Sequence, residues 1–389
     1  MNAGKMTHGV YSLSAVDWNR RLFDSLIPLP DGTGYNAYLV EGKEKTALLD
    51  TVEPTQAGML MSQLDNVARI DYIIAQHAEP DHSGPIPLVL EKYPQTRVLT
   101  SEKAQAMLTD LLPIRPEQIT TVGDGEKLDL GGKTLEFIYT PWVHWPETMS
   151  TYLAEDSILF TCDFFGSHYA TSEIGVDDDP AVYEAAKRYY AEIMMPFRKV
   201  IRKNLDKIGG RKIAMIAPGH GPVYRHPEYI LAAYRDWISD EVKNEVVIPY
   251  VSMHGSTARM IEFLTDELAA RQIRVRLFDL AATDLGKLAI AMVDAATLII
   301  GTPTVNVGPH PLVFAAANLA NMLRPKLRYV SIVNSYGWSS KAVERLQEAI
   351  PDLKVEMLSP VICRGVPGTD AFTALARLAE EIKIRHHSL

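Results

Sequence analysis

The sequence predicts an α/β protein in two parts: a layered sandwich of mixed strands and helices over residues 1–243, then a doubly wound, five-stranded parallel sheet over residues 244–389. Three observations predict it. In the first part, four short apolar runs each lead into histidines or acids, the mark of strands that deliver side chains to one edge of a sheet. In the second, five strand–helix alternations follow one another over roughly 145 residues, as in open parallel sheets. With 389 residues, 47% of them hydrophobic, the chain is long enough to bury two cores.

The elements are expected in this order. Ala47–Asp50 reads as a strand, Gln56–Val67 as a helix, Tyr72–Ala75 as a buried strand and Ile86–Tyr93 as a helix. From Ile119 the texture changes to antiparallel hairpins: Gly131-Gly132 joins Glu126–Leu130 to Lys133–Tyr139, and Glu155-Asp156 joins Ser150–Leu153 to Ser157–Thr161. A charged helical segment spans about Pro180 to Lys207. Lys212–Ala217 is a further strand, and Arg225–Val242 is a helical linker. In the second part the strands are Val246–Val251, Val275–Phe278, Thr297–Ile300, Arg328–Val333 and Val355–Leu358. Helices run from the first strand to about Arg271, then near Leu285–Val293, Leu312–Leu323, Lys341–Ala349 and Asp370–Lys383.

Composition narrows the function classes. A net charge of −9 argues against a nucleic-acid partner. Met1–Asp17 carries no basic segment followed by an apolar run, and no stretch approaches a membrane span, so a cytoplasmic location is expected. Only Cys162 and Cys363 are present. That excludes a disulfide framework, a zinc ribbon and a four-cysteine iron–sulfur site within these residues, so a redox partner must bring its own centre.

The chemistry centres on His77-Ala78-Glu79-Pro80-Asp81-His82-Ser83-Gly84, directly after the strand Tyr72–Ala75. Beyond a strand end the backbone turns, so neighbouring side chains can converge as they cannot within a strand. The bland alternative, a solvated acidic loop, does not explain why two histidines bracket two acids there. Later strands run into His144, Asp163 and His220. His220 alone, between glycines, would be an ordinary turn residue. With His77, Glu79, Asp81, His82, His144 and Asp163 it makes seven donors, enough for two transition-metal sites with open positions.

In the second part, three loops lie at strand carboxyl ends, where open α/β sheets bind ligands. Ser252-Met253-His254-Gly255-Ser256-Thr257 offers hydroxyls and backbone amides at a helix N-terminus, a phosphate site without the lysine of a P-loop. Pro303-Thr304-Val305-Asn306 and Ser335-Tyr336-Gly337-Trp338 offer polar edges and aromatic faces to a flat heterocycle.

The order His-x-Glu-x-Asp-His, then His, Asp and Gly-His-Gly resembles the metallo-β-lactamase fold, an αββα sandwich with a binuclear site. Hydrolases of that fold usually have histidine where this chain has Glu79. A carboxylate there biases the site toward iron. The three loops resemble the FMN loops of the flavodoxin family. Together, over nearly the whole chain, the two parts resemble the flavodiiron protein family, in its shortest, two-domain class. The resemblance implies His77, Glu79 and His144 on one iron, Asp81, His82 and His220 on the other, and Asp163 bridging. It implies reduction of dioxygen to water or nitric oxide to nitrous oxide, with FMN relaying electrons from a rubredoxin-like protein or a reduced deazaflavin. It also implies a head-to-tail homodimer, or a dimer of dimers, with Trp338 at the contact. His168 and Tyr169 are candidates to line the substrate pocket or donate protons, the alternative being ordinary packing. Glu147 is expected either to orient His144 from behind or to be solvated at the surface. The rival readings are a zinc-dependent hydrolase with a flavodoxin-like appendage and a pure electron carrier.

Overall fold

The computed structural model describes residues 4–389. Its chain divides into two compact units, one comprising Met1–Tyr190 with Phe197–Ile238 and the other Ser239–Leu389 with Ala191–Pro196. Met1–Ala3, the first residues of the N-terminal stretch read for targeting signals, lie outside the described residues.

The first unit contains two seven-stranded sheets. Its strands alternate in the way a doubly covered sheet requires, one side chain to each face in turn. Tyr38, Val40, Ala47, Leu49 and Ile74 of the first sheet pack with Phe137, Leu153, Ile158 and Phe160 of the second. Ala37, Leu39, Leu48 and Ile73 turn the other way, onto Leu60, Leu64, Ile86, Val89 and Leu108 of the flanking helices. Helices Pro180–Tyr189, Arg198–Ile208 and Pro227–Ile238 follow in the second half of the unit, giving the αββα sandwich.

Several local expectations need correction. Gly4–Thr7, Val10–Asp17 and Thr33–Glu41 form antiparallel strands that precede the α/β part, where the sequence reading placed antiparallel strands only after Ile119. Their mix of Ser, Gly and Tyr masks the alternation. The Gln56–Val67 helix contracts to Ala57–Gln63. The charged segment after Pro180 is not one helix: it opens into a wide turn at Tyr190–Met194 and restarts at Arg198, with Pro196 unable to continue the hydrogen-bond ladder.

In the second unit the strands run in the order Arg274–Asp279, Lys243–Tyr250, Ala295–Val305, Tyr329–Tyr336, Glu356–Met357, all parallel. In chain order that is 2-1-3-4-5, the flavodoxin-like winding. The fifth strand, expected at Val355–Leu358, is only two residues long. Val361–Arg364 continues the same edge along Tyr329–Tyr336.

The last helix, Thr369–His386, is tied down by its final residue. His386 Nδ1–H donates to Asn244 Oδ1 at 2.8 Å, and its Nε2 accepts from Thr297 Oγ1 at 2.7 Å. Burial lowers the His386 pKa to about 4. Because the folded value lies below the unfolded one, the stabilisation is present above about pH 6.5 and is lost as pH falls toward 4. Calorimetry should therefore show the unfolding midpoint falling less steeply between about pH 7 and pH 4.5 in His386→Gln than in wild type. Parallel curves would refute this account of His386.

Candidate functional site

Strand Tyr72–Ile74 ends at a loop held from several sides. Asp50 accepts from Gln76 N at 2.8 Å and from Gln76 Nε2 at 2.7 Å, and Thr51 donates through N and Oγ1 to the His82 carbonyl. Pro80 opens a single helical turn, Pro80–Ser83, which carries Asp81 and His82. Gly84 closes it because a Cβ there would lie 2.6 Å from the Pro80 carbonyl oxygen and 2.5 Å from Pro54 Cγ. Strands Ile158–Cys162 and Met215–Pro218 run parallel with Cys162 opposite Pro218, so Asp163 and His220 leave the sheet side by side. His144 comes from the loop between Thr134–Tyr139 and Met149–Leu153.

The seven expected donors come together as two clusters joined by Asp163. His77 Nε2 and His144 Nε2 each lie 3.0 Å from Glu79 Oε2, and 3.3 and 3.4 Å from Asp163 Oδ2. On the other side His82 Nε2 and His220 Nε2 lie 2.8 and 3.3 Å from Asp163 Oδ1, and 3.5 and 3.3 Å from Asp81 Oδ2. Ligands about 2.1 Å from a shared cation are separated by about 3 Å, so this spacing suits metal coordination. Both oxygens of Asp81 and of Asp163, and His82 Nε2, are buried without a hydrogen-bond partner, a costly arrangement that a cation at each cluster relieves.

Electrostatics tells the same story from the protein alone. Burial works against every charge here, yet the His82 charge and contacts from His144, His220 and His77 hold the Asp163 carboxyl well below its ordinary range. Against the same burial penalty, His144 and His77 bring Glu79 down to about 2. Against burial again, Asp163 and Glu79 raise His144 to about 9, and Asp163 and Asp81 raise His220 to about 10. Without metal, the acids keep protons on the imidazoles. A cation must displace them.

In the second unit an open cleft is lined by Met253, His254, Ser256, Thr257, Pro303, Thr304, Ser335, Tyr336, Gly337 and Gly365. Gly255, at φ 86°, caps the helix Ser256–Ala270 and turns its N-terminus onto this cleft. Thr257 Oγ1 and Ser335 Oγ are hydrogen bonded at 2.9 Å.

Residues 34–221 match a family model described as ODP family beta lactamase. A protein named nitric oxide reductase from Moorella thermoacetica is 35% identical over 91% of both chains. Rubredoxin oxygen:oxidoreductase from Desulfovibrio gigas superposes with a TM-score of 0.94 at 31% identity, covering 100% of this chain and 99% of that one. The flavodiiron protein from Giardia intestinalis superposes at 0.91 with 26% identity, covering 100% and 97%. This chain belongs to the flavodiiron protein family.

Glu147 and Ser252 of this flavodiiron chain sit differently from the sequence reading. Glu147 does not back His144 and is not at the surface. It is buried, and its Oε1 accepts from His77 Nδ1 at 2.7 Å and from Ala78 N at 3.0 Å. His168 is buried with Nδ1 2.9 Å from Thr33 Oγ1 and its ring 4.9 Å from that of His220. Tyr169 is half-buried on the following turn. Ser252 faces the helix, accepting from Ala258 N at 3.1 Å, rather than lining the cleft. Val305 and Asn306 belong to the tight hairpin with Gly308–Pro309, and Trp338 is 73% exposed. Sequence reasoning missed Gly365, because the strand before it was not assigned. It also missed Tyr35 and Tyr189, whose rings lie 5.4 and 5.7 Å from that of His220. Nothing in their local sequence marks them.

Two predictions follow from these contacts. Glu147→Ala should weaken metal binding at the His77 cluster by about 10–100-fold, since an unsupported imidazole is a poorer and looser ligand. Chelator competition on the purified protein reads this, and an unchanged affinity would show the contact to be packing only. Thr257→Ala should lower flavin retention by about 10-fold or more if its hydroxyl meets a phosphate, a charge-assisted bond being worth about 1.5–3 kcal/mol. Flavin yield after dialysis is the measure, with full retention counting against a phosphate at that loop.

Proposed function

We propose that this chain reduces dioxygen to water, nitric oxide to nitrous oxide, or both, at a non-haem diiron centre supplied with electrons by FMN. The observation that carries the reading is one buried carboxylate, Asp163, whose two oxygens each face a different histidine-and-acid cluster, one of which contains Glu79. Iron suits that donor set, and the cleft of the second unit gives the chain a use for redox chemistry that a zinc hydrolase lacks.

In this reading residues 1–243 hold the metals: His77, Glu79 and His144 hold one iron, Asp81, His82 and His220 the other, and Asp163 lies between them. Residues 244–389 hold FMN, the Ser252–Thr257 loop at its phosphate and the Pro303–Asn306 and Ser335–Trp338 loops at its ring. When bound, the two irons supply Lewis acidity and two of the four electrons that dioxygen needs, and reduced FMN the other two. The protein's part is positional. Glu147 fixes the tautomer of His77 by accepting from Nδ1, leaving Nε2 for the metal, and the Gly34 carbonyl, 3.1 Å from His220 Nδ1, does the same for His220. His144 and Glu79, at 19% and 12% side-chain exposure, form the more open side, so a small gas reaches the pair there. His168 packs behind His220, and Tyr169 borders the same loop.

The electron donor in this reading is a rubredoxin-like protein or a reduced deazaflavin. The working unit is a head-to-tail homodimer, alone or paired. No helix among the described residues is long and apolar enough to cross a membrane, and the proposed location is the cytoplasm.

Purified protein should contain about two irons and one FMN per chain and turn over with at least one of the two gases given a reduced donor. Asp163→Asn should keep FMN while losing most of its iron and its gas reduction, because an amide is a poor bridge between two cations. Zinc in place of iron, or wild-type turnover in a folded Asp163→Asn protein, would overturn the reading.

A further inference from the structure

One helix of the second unit is apolar on both of its sides. Pro311–Leu323, 13 residues without a charge, turns Val313, Ala316, Ala317, Ala320 and Leu323 inward. The opposite stripe is apolar as well: Leu312 is 43% and Met322 56% exposed, Ala315 is exposed between them, and Leu319 is half-buried. Phe314, also exposed, flanks the stripe. Among the described residues, the other long helices of this unit keep charged side chains outermost, such as Arg259 on Ser256–Ala270, Lys287 on Leu285–Met292 and Arg377 on Thr369–His386. A helix that is hydrophobic all round is one that is covered on both sides.

Spacing says what fits the stripe. Leu312, Ala315, Leu319 and Met322 recur at intervals of three, four and three, the seam spacing of paired helices. That series reads the same in both directions. Under a two-fold axis an antiparallel copy therefore sets Leu312 against Met322 and the small Ala315 against the larger Leu319, and every contact occurs twice. Charge points the same way. The chain carries −9 overall, so two copies repel one another unless they meet through an uncharged face. A strongly acidic or basic partner finds nothing on the stripe to pair with, and a lipid surface calls for the lysines and arginines of an amphipathic membrane helix, which residues 311–323 do not carry. At the C-terminal end Arg324, Asn321 and Asp352 bond to one another, a polar rim beside an apolar centre.

We propose that this stripe pairs with the same stripe of a second copy of the chain, antiparallel across a two-fold axis. A 13-residue helix is about 20 Å long and about 10 Å wide, so one seam falls short of the roughly 800 Å² per partner of a stable interface. Two seams acting together make up the difference. They join two head-to-tail dimers into a closed assembly of four chains, each dimer presenting two stripes. The four-chain form rests on the head-to-tail dimer of the proposed function, whereas the pairing of the stripes does not.

The test sizes the iron- and FMN-loaded protein by gel filtration with light scattering. Four chains per particle are expected for the wild type and two for Leu312→Lys and for Met322→Lys, since each substitution buries an unpaired charge in the seam. Leu312→Lys combined with Met322→Glu should restore four, because the axis sets position 312 of one copy against position 322 of the other and the two charges then attract. Iron and FMN contents report whether each variant has folded. If the wild type has two chains and the single variants one, the stripes pair as stated and the head-to-tail dimer is the reading that fails. Single variants that keep the wild-type mass, or a double variant that stays at the mass of the singles, would overturn the pairing.

Discussion

One buried carboxylate organises the first unit. Asp163 has both oxygens turned into the protein, each facing two imidazoles, with no hydrogen-bond partner to share the charge. A carboxylate in that position is costly unless strong counter-charges meet it. The imidazoles supply them in the metal-free chain, and the same geometry is ready to exchange those protons for cations. Four separate stretches of chain must arrive together for this to occur. The parallel pairing of Ile158–Cys162 with Met215–Pro218 is therefore as much a part of the site as the ligands it delivers.

Support for the ligands is uneven. His77 rests on the Glu147 carboxylate and His220 on a backbone carbonyl, so their rings are fixed before any metal arrives. His82 Nδ1 is buried without such an anchor. Each cluster thus contains one imidazole whose outer nitrogen is held by an acceptor, His77 in the first and His220 in the second. Asp50 joins the two levels of organisation, since its hydrogen bonds to Gln76 shape the loop that carries His77 through His82.

The second unit solves a different problem with the same device. Its parallel strands end at one edge, and the loops beyond them gather hydroxyls, glycines and a helix N-terminus around an open cleft. Hydrogen bonds among Thr304, Asn334 and Ser340, and between Thr257 and Ser335, stiffen the floor of that cleft without filling it. A rigid, polar-edged slot is what a flat heterocycle with a phosphate tail requires.

Much of this was legible in the sequence, because strand ends and turn residues are local features. The apolar run before His77, the Gly-His-Gly turn around His220 and the five-fold strand–helix rhythm after Lys243 each show within a dozen or so residues. The identity and order of the seven donors could be read in the same way. What the tertiary structure decided is which atom meets which. Glu147 stands three residues from His144 yet serves His77, because the intervening turn carries the two side chains in different directions. Tyr35, Tyr189 and Gly365 reach their sites from strands and helices whose sequences say nothing about those neighbours. The turn at residues 190–197 interrupts a pattern that reads as one helix. Periodicity fixes which face a side chain takes within its own element, but contacts between elements depend on register and packing across more than a hundred residues of chain, and only the folded molecule sets those.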